Sequence, residues 1–187
     1  KLGIPYDSEE AVTAAEKVMS TIQNESRRKS EELAEIRGAF PNFHLSEYAV
    51  RGDRPLRNAT TTTIAPTGTI SILADASSGI EPLFALAYVR NVMDNNKLIE
   101  SNPAFEEAVK ALGGRIDFTD IMRRIADGGT ARDIEELPEL IKSIFVTAHD
   151  ISPEWHIKTQ AVFQKYTDNA VSKTVNFSHT ATVEDIR

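Results

Sequence analysis

Ala59-Thr60-Thr61-Thr62-Thr63-Ile64-Ala65-Pro66-Thr67-Gly68-Thr69-Ile70-Ser71 is the stretch on which the reading of this chain turns. Four consecutive β-branched threonines and an isoleucine favour an extended strand, and Pro66 cannot continue it as a central ladder member, so the strand is expected to end at Ala65 or Pro66. Thr67-Gly68-Thr69 then turns into Ile70-Ser71-Ile72-Leu73-Ala74, a short apolar segment able to start a helix. Strand, then Pro66, Thr67, Gly68, Thr69, Ile70 and Ser71, then helix is an order that points free backbone N–H groups at one spot outside the strand's carboxyl end, where anions bind. Gly68 lets the backbone approach a phosphate closely, and Thr67, Thr69 and Ser71 can add hydroxyl donors. The loop has no lysine, so it is not a Walker sequence, and taken alone it also fits an ordinary strand–turn–helix junction.

Working towards the N-terminus, residues 40–57 hold two prolines, a glycine and scattered aromatics without periodicity, and read as an irregular connection. Before them, Asp7-Ser8-Glu9-Glu10 offers a helix cap, and Ala11, Ala15, Val18 and Ile22 recur at helical spacing in a long helix that should stop at Gly38. Towards the C-terminus, Leu83 to Met93 reads as a second, largely buried strand. Helices are expected from Asn102-Pro103 to Gly113-Gly114, from about Thr119 to Ala126, from about Leu137 to Thr147, and from Ser152-Pro153 onward with Trp155, Thr159, Val162, Phe163 and Tyr166 near one face. Ala170 to Phe177 alternates like a strand, and Thr182-Val183-Glu184-Asp185 looks like a capped first helical turn.

The chain has 187 residues, 41% hydrophobic and 26% charged, enough for one sizeable core. Its 21 basic against 28 acidic side chains give a net charge of -7, which disfavours nucleic acid as a partner but allows a small phosphorylated ligand in a local pocket. No apolar run is long enough for a membrane span, no signal core follows the N-terminus, and a cytoplasmic protein is expected. The first residue is Lys rather than Met, so the chain is expected to be an excerpt of a longer protein. There is no cysteine, which removes disulfides, thiolate metal sites and cysteine nucleophiles from these residues.

Arg57-Asn58-Ala59-Thr60 through Pro66-Thr67-Gly68-Thr69-Ile70-Ser71, followed by Ser78-Gly79-Ile80-Glu81-Pro82 and Tyr88-Val89-Arg90, closely resembles the large catalytic subunit of ribonucleotide reductases in order and spacing. Asp168-Asn169-Ala170-Val171-Ser172-Lys173-Thr174-Val175-Asn176 is similar to the cobalamin-dependent class of that family. The resemblance runs from about Tyr6 to the last residue. It implies an α/β fold, the second half of a ten-stranded α/β barrel with helical insertions. Residues 1–187 would be part of a single catalytic barrel domain, with 1–57 as long helix and connection and 58–187 as barrel strands and helices. It further implies ribonucleotide reduction by radical chemistry, adenosylcobalamin as cofactor, a ribonucleotide substrate whose phosphates sit on Pro66 to Ser71, and an external dithiol reductant.

The family's radical cysteine and its reducing pair are absent from this stretch, so no catalytic residue is assigned here, and the chain is expected to bind but not to turn over. Strands cut from a barrel would expose edges, and self-association is expected. A non-catalytic α/β phosphate- or nucleotide-binding module is the alternative reading. Glu81 is read as a carboxylate that fixes the loop before Pro82 rather than as a general acid or base. Arg90 and Lys173 are not assigned catalytic roles. The histidines at 44, 149, 156 and 179 lack ligand spacing, so no metal is expected. Trp155, Phe163 and Tyr166 are read as helix packing.

Overall fold

The structure, a computed structural model, describes residues 2–74, 76–91, 97–113 and 116–186. It divides into two compact units: one of residues 1–11, 81–156 and 174–187, the other of residues 12–80 and 157–173.

The first unit holds the larger apolar core. Ser8 opens α1 (Glu9–Arg37) by accepting the Ala11 amide at 3.1 Å, as the cap signal predicts. Strands β1 (Ala87–Asn91) and β2 (Lys97–Ser101) form an antiparallel pair in which Ala87 faces Ser101 and Asn91 faces Lys97. Asn102 then caps α4 (Pro103–Lys110) by accepting the amides of Ala104 and Phe105, with Pro103 at the first helical position, where its missing N–H costs nothing. Asp117 does the same for α5 (Phe118–Ala126), which packs on both strands. The core gathers Leu86, Phe105, Val109, Ile121, Ile125 and Ile134, with Phe105 fully buried and its ring 5.1 Å from that of Phe145. Truncating Phe105 to alanine would cost about 3–5 kcal/mol. Short α6 (Glu139–Ile144) and the start of α7 (Pro153–Gln164) follow, and α8 (Val183–Ile186) closes the chain.

The second unit carries the rest of α1, which ends at Gly38 with φ 77 and its amide on the Ala34 carbonyl at 2.8 Å. The buried positions of α1 are Met19, Ser30 and Ala34, while Val18 and Ile22 of the periodic stripe are about half exposed at 54% and 49%. The irregular connection contains a 3-10 turn, Phe43–Leu45, and one short α-helix, α2 (Glu47–Val50), capped by Ser46. Then come α3 (Gly68–Leu73) and the remainder of α7, with Leu56, Val162 and Val171 among the buried apolar side chains.

The expected α/β half-barrel is corrected by this structure. The chain is predominantly helical, and among the described residues the one regular sheet is the two-stranded β1–β2 pair. Residues 59–65 and 170–177 form no regular strand and meet at a single parallel bridge, Ile64 with Val171. Their backbone pairing consists of Asn169 N–H to the Thr62 carbonyl at 3.1 Å, Ile64 N–H to the Ala170 carbonyl at 3.3 Å and Ser172 N–H to the Ile64 carbonyl at 2.8 Å. A ladder needs continuous partners, and here threonine and aspartate side chains take backbone groups that a sheet would use. The strand expected over Leu83 to Met93 divides likewise. Leu83 forms an isolated parallel bridge with Thr147, regular pairing begins only at Ala87, and Met93 lies outside the described residues, as does Gly114.

Candidate functional site

The predicted phosphate residues lie together in the second unit, at the start of α3. Helix begins at Gly68, two residues earlier than the apolar segment suggests, with Thr67 as its N-cap. Thr67 has φ 53 and ψ 23, and it is the one non-glycine residue of positive φ among the described residues. A β-branched side chain in the left-handed region is strained by about 1–3 kcal/mol, and such strain persists only where surrounding contacts hold it.

The contact that holds it is a clasp. Thr67 Oγ1 accepts the amide of Gly79 at 2.9 Å and makes no capping bond to α3. Gly79 sits at φ 50, and a Cβ there would come 3.3 Å from the Ala65 carbonyl oxygen, so glycine serves both the turn and the close approach. Because the cap hydroxyl is diverted, the amides of Gly68, Thr69 and Ile70 find no acceptor among the described residues, as first-turn N–H groups do when no side chain caps them. A Cβ added to Gly68 would meet nothing within 4 Å, which leaves space beside these donors.

Not all predicted donors share this role. The Ser71 amide is used by the Thr67 carbonyl at 2.9 Å. The Ser71 hydroxyl is buried, donates to the Gly68 carbonyl at 2.8 Å and shares a 2.7 Å bond with the Ser78 hydroxyl. Ser71 thus braces the loop from inside. Thr67 keeps its own hydroxyl proton free to donate, since its oxygen is the acceptor towards Gly79.

Sequence reasoning gave Asp168 no separate role. Its Oδ2 accepts the Thr61 amide at 2.7 Å and the Thr61 hydroxyl at 3.1 Å, and its Oδ1 accepts Gln23 Nε2 at 3.4 Å. Burial pushes this carboxyl up, but the Thr61 amide and hydroxyl, Gln23 and the Thr62 backbone together outweigh burial and hold it below the usual carboxylate range. An aspartate two residues before an alternating segment, facing a threonine run, is the signal that would have pointed to it. Nearby, Glu16 is held low by hydrogen bonds from Lys165 and from the Tyr166 hydroxyl, both at 2.7 Å, so Tyr166 is engaged in a polar contact as well as in packing.

The remaining candidates belong to the first unit or to structural roles. Glu81 accepts the Thr174 amide at 2.6 Å, the work of a loop-fixing carboxylate. His156 is fully buried, with Nε2 3.1 Å from the Ala148 carbonyl. His149 meets the Phe84 ring edge-on at 5.7 Å. Arg90 lies in β1 opposite Leu98. Among the described residues no group of three metal-ligating side chains comes together, and no helix is long and apolar enough to cross a membrane.

Set beside known proteins, residues 1–187 match the family described as the ribonucleotide reductase barrel domain. The chain is 52% identical over 186 residues to the vitamin B12-dependent ribonucleoside-diphosphate reductase of Thermoplasma acidophilum, covering 100% of this chain and 24% of that protein. It is 46% identical over 186 residues to the vitamin B12-dependent ribonucleoside-diphosphate reductase of Mycobacterium tuberculosis, covering 100% of this chain and 26% of that protein. Among solved structures, the class Id ribonucleotide reductase alpha subunit of Actinobacillus ureae is similar at a TM-score of 0.66 and 28% identity, over 89% of this chain and 28% of that one. The chain spans about a quarter of the length of the curated relatives it matches.

Proposed function

Because the chain belongs to the ribonucleotide reductase barrel-domain family, we propose that it supplies the substrate-phosphate site of an enzyme that reduces ribonucleotides to deoxyribonucleotides. The observation that carries this reading is the diverted cap: Thr67 is strained into the left-handed region and bonded to Gly79, while the first three amides of α3 stay open beside Gly68. Three N–H groups at the positive end of a helix suit phosphate oxygens, with the Thr67 and Thr69 hydroxyls as further donors and Pro66 setting the entry. Ile70 contributes its amide, and Ser71 contributes rigidity. Residues 1–187 form part of one catalytic domain in this reading, and the substrate is a ribonucleoside di- or triphosphate, since both present similar oxygens to one loop.

The whole enzyme on this proposal works in the cytoplasm with adenosylcobalamin as its radical source and an external dithiol as reductant. The described residues of this chain do not fit the cofactor themselves. A corrin needs a broad, deep pocket of the kind that holds large ligands, about 300–1,000 Å³. The recess lined by Gln23, Arg27, Tyr48 and Thr61 has a cavity of about 20 Å³, and the hollow of about 330 Å³ beside Arg132 and Lys142 is an open surface depression lined by charged and polar side chains with no apolar walls to hold a corrin. What these residues do is bind the phosphates, orient the nucleotide and hold the loop. The 187 residues contain no cysteine, so hydrogen abstraction from ribose belongs to other parts of the enzyme.

Self-association is part of the same proposal. Ile70, Ile72 and Leu73 on α3 are 61%, 82% and 83% exposed in the second unit, an apolar face that an associated chain would cover. The test of the functional reading is titration of the chain with pyrophosphate and with ribonucleoside diphosphates. Binding that requires the phosphates and is lost on blocking the loop supports it. Binding of nucleosides and nucleotides with equal affinity overturns it.

A further inference from the structure

We propose that Asp168 is a positioning residue that sets the register of the segment feeding the anion loop, and so fixes where the open amides of Gly68, Thr69 and Ile70 stand. The inference rests on the phosphate-site reading for its consequence in binding, but its geometric claim stands apart.

The segment from Thr60 to Ile64 has few restraints of its own. It has a single bridge to the 168–172 segment and no regular ladder. A pairing that sparse can slip, and a slip of one residue turns every side chain to the opposite face. Asp168 prevents this by clasping the segment from both of its ends. Its carboxylate accepts the backbone and side chain of Thr61, and its own amide donates to Thr62 Oγ1 at 2.9 Å. The next residue repeats the pattern, with Asn169 N–H on the Thr62 carbonyl at 3.1 Å and Asn169 Nδ2 on Thr60 Oγ1 at 3.3 Å. Adjacent residues of one segment are thus keyed to Thr60, Thr61 and Thr62 of the other, and only one alignment satisfies them all.

The aspartate is itself held in place. Gln164, at the end of α7, donates to the carbonyls of Thr167 and Asn169 and accepts the Val171 amide at 3.2 Å, closing the turn that presents Asp168. Gln23 from α1 donates to the other carboxylate oxygen. From Thr61 the chain runs through Ile64, paired with Val171, to Ala65, whose carbonyl lies under Gly79, and then to Thr67. The chain from aspartate to clasp is short: Asp168 to Thr61, five intervening residues, then Thr67 to Gly79. The four threonines therefore do more than favour extension. Two of them, Thr61 and Thr62, are the teeth that Asp168 engages.

The test compares Asp168→Ala, Asp168→Asn and a control for general destabilisation, Met19→Ala, which opens a cavity at a buried α1 position of the same unit. Amide NMR spectra of the whole chain are recorded without ligand, then with pyrophosphate. In Asp168→Ala, the amides of residues 67–71 and of Gly79 should shift and exchange faster, and pyrophosphate affinity should fall by tenfold or more. In Asp168→Asn, whose side-chain oxygen still accepts from Thr61, the loop spectrum and an affinity within threefold of the parent chain should be restored. Met19→Ala should lower thermal stability without moving the loop resonances. If Asp168→Ala leaves the loop amides of the free chain unchanged, or if Met19→Ala perturbs them equally, the positioning role is wrong. If the parent chain does not bind pyrophosphate while Asp168→Ala still disturbs the loop, the phosphate reading fails and the positioning role survives.

Discussion

Gly68→Val isolates the anion cradle from the fold. Gly68 is the first residue of α3, its φ lies outside the left-handed region, and an added Cβ meets nothing within 4 Å. The protein therefore has room for the larger side chain, and replacing glycine in a helix removes up to about 1 kcal/mol of propensity cost, less at the first position than in the interior. Stability should hold or rise slightly. Binding should not hold, because the branched side chain fills the space beside three amides that a phosphate must approach closely. Loss of one to two charge-assisted hydrogen bonds is worth on the order of 1–3 kcal/mol, roughly a 5- to 150-fold weaker dissociation constant. Isothermal titration with pyrophosphate measures it, with thermal unfolding recorded in parallel. An unchanged affinity in a normally folded Gly68→Val protein would refute the cradle. A protein that unfolds would contradict the open space beside Gly68.

Gly79→Ala should destabilise the chain by about 1–2 kcal/mol in urea, because a side chain is forced to φ 50 and its Cβ to 3.3 Å from the Ala65 carbonyl; unchanged stability would show that the clasp has slack. Acid should weaken the fold through Asp168 and Asp185, the latter held low by the amide and hydroxyl of Thr182. Folded-state values below the unfolded ones mean that this stability is present above the unfolded carboxylate pKa of about 3.9 and is lost as pH falls through the folded values. Asp168→Asn should flatten that acid limb, and an unaltered pH profile would remove Asp168 from the account. The purified chain incubated with ribonucleotides, adenosylcobalamin and dithiol should give no deoxynucleotide; product above a boiled control would overturn the requirement for a cysteine outside these residues.

Helices were the legible part of this chain because their ends are written locally. Ser8, Asn102 and Asp117 each precede a helix and accept its first amides, and Gly38 ends α1 at positive φ. Strands were not legible in the same way, since extension is a property of residues but a ladder is a property of neighbours. The β-branched threonine run favours extension, yet it forms no regular strand and bridges only at Ile64. Strand β2 went unread because Lys97-Leu98-Ile99-Glu100-Ser101 is short and flanked by Asn102-Pro103, although the preceding Asp94-Asn95-Asn96 run has turn chemistry. Helix α6 stops at Ile144 rather than Thr147, because the Thr147 amide is taken by Asp150 at 2.7 Å and the Ala148 amide by Leu83 at 2.7 Å. At the loop, glycine and threonine content marked Pro66 to Ser71 as the candidate, but the diversion of the Thr67 hydroxyl depends on Gly79, twelve positions away, and no local pattern encodes it.

The measurement that bears most directly on the central claim is an amide-resolved titration of the 187-residue chain with a ribonucleoside diphosphate. Saturable shifts led by Gly68, Thr69 and Ile70 are expected, with smaller ones at Thr67 and Gly79 and none on adding the matching nucleoside alone. Shifts that begin elsewhere, with those three amides unmoved at saturation, would contradict it.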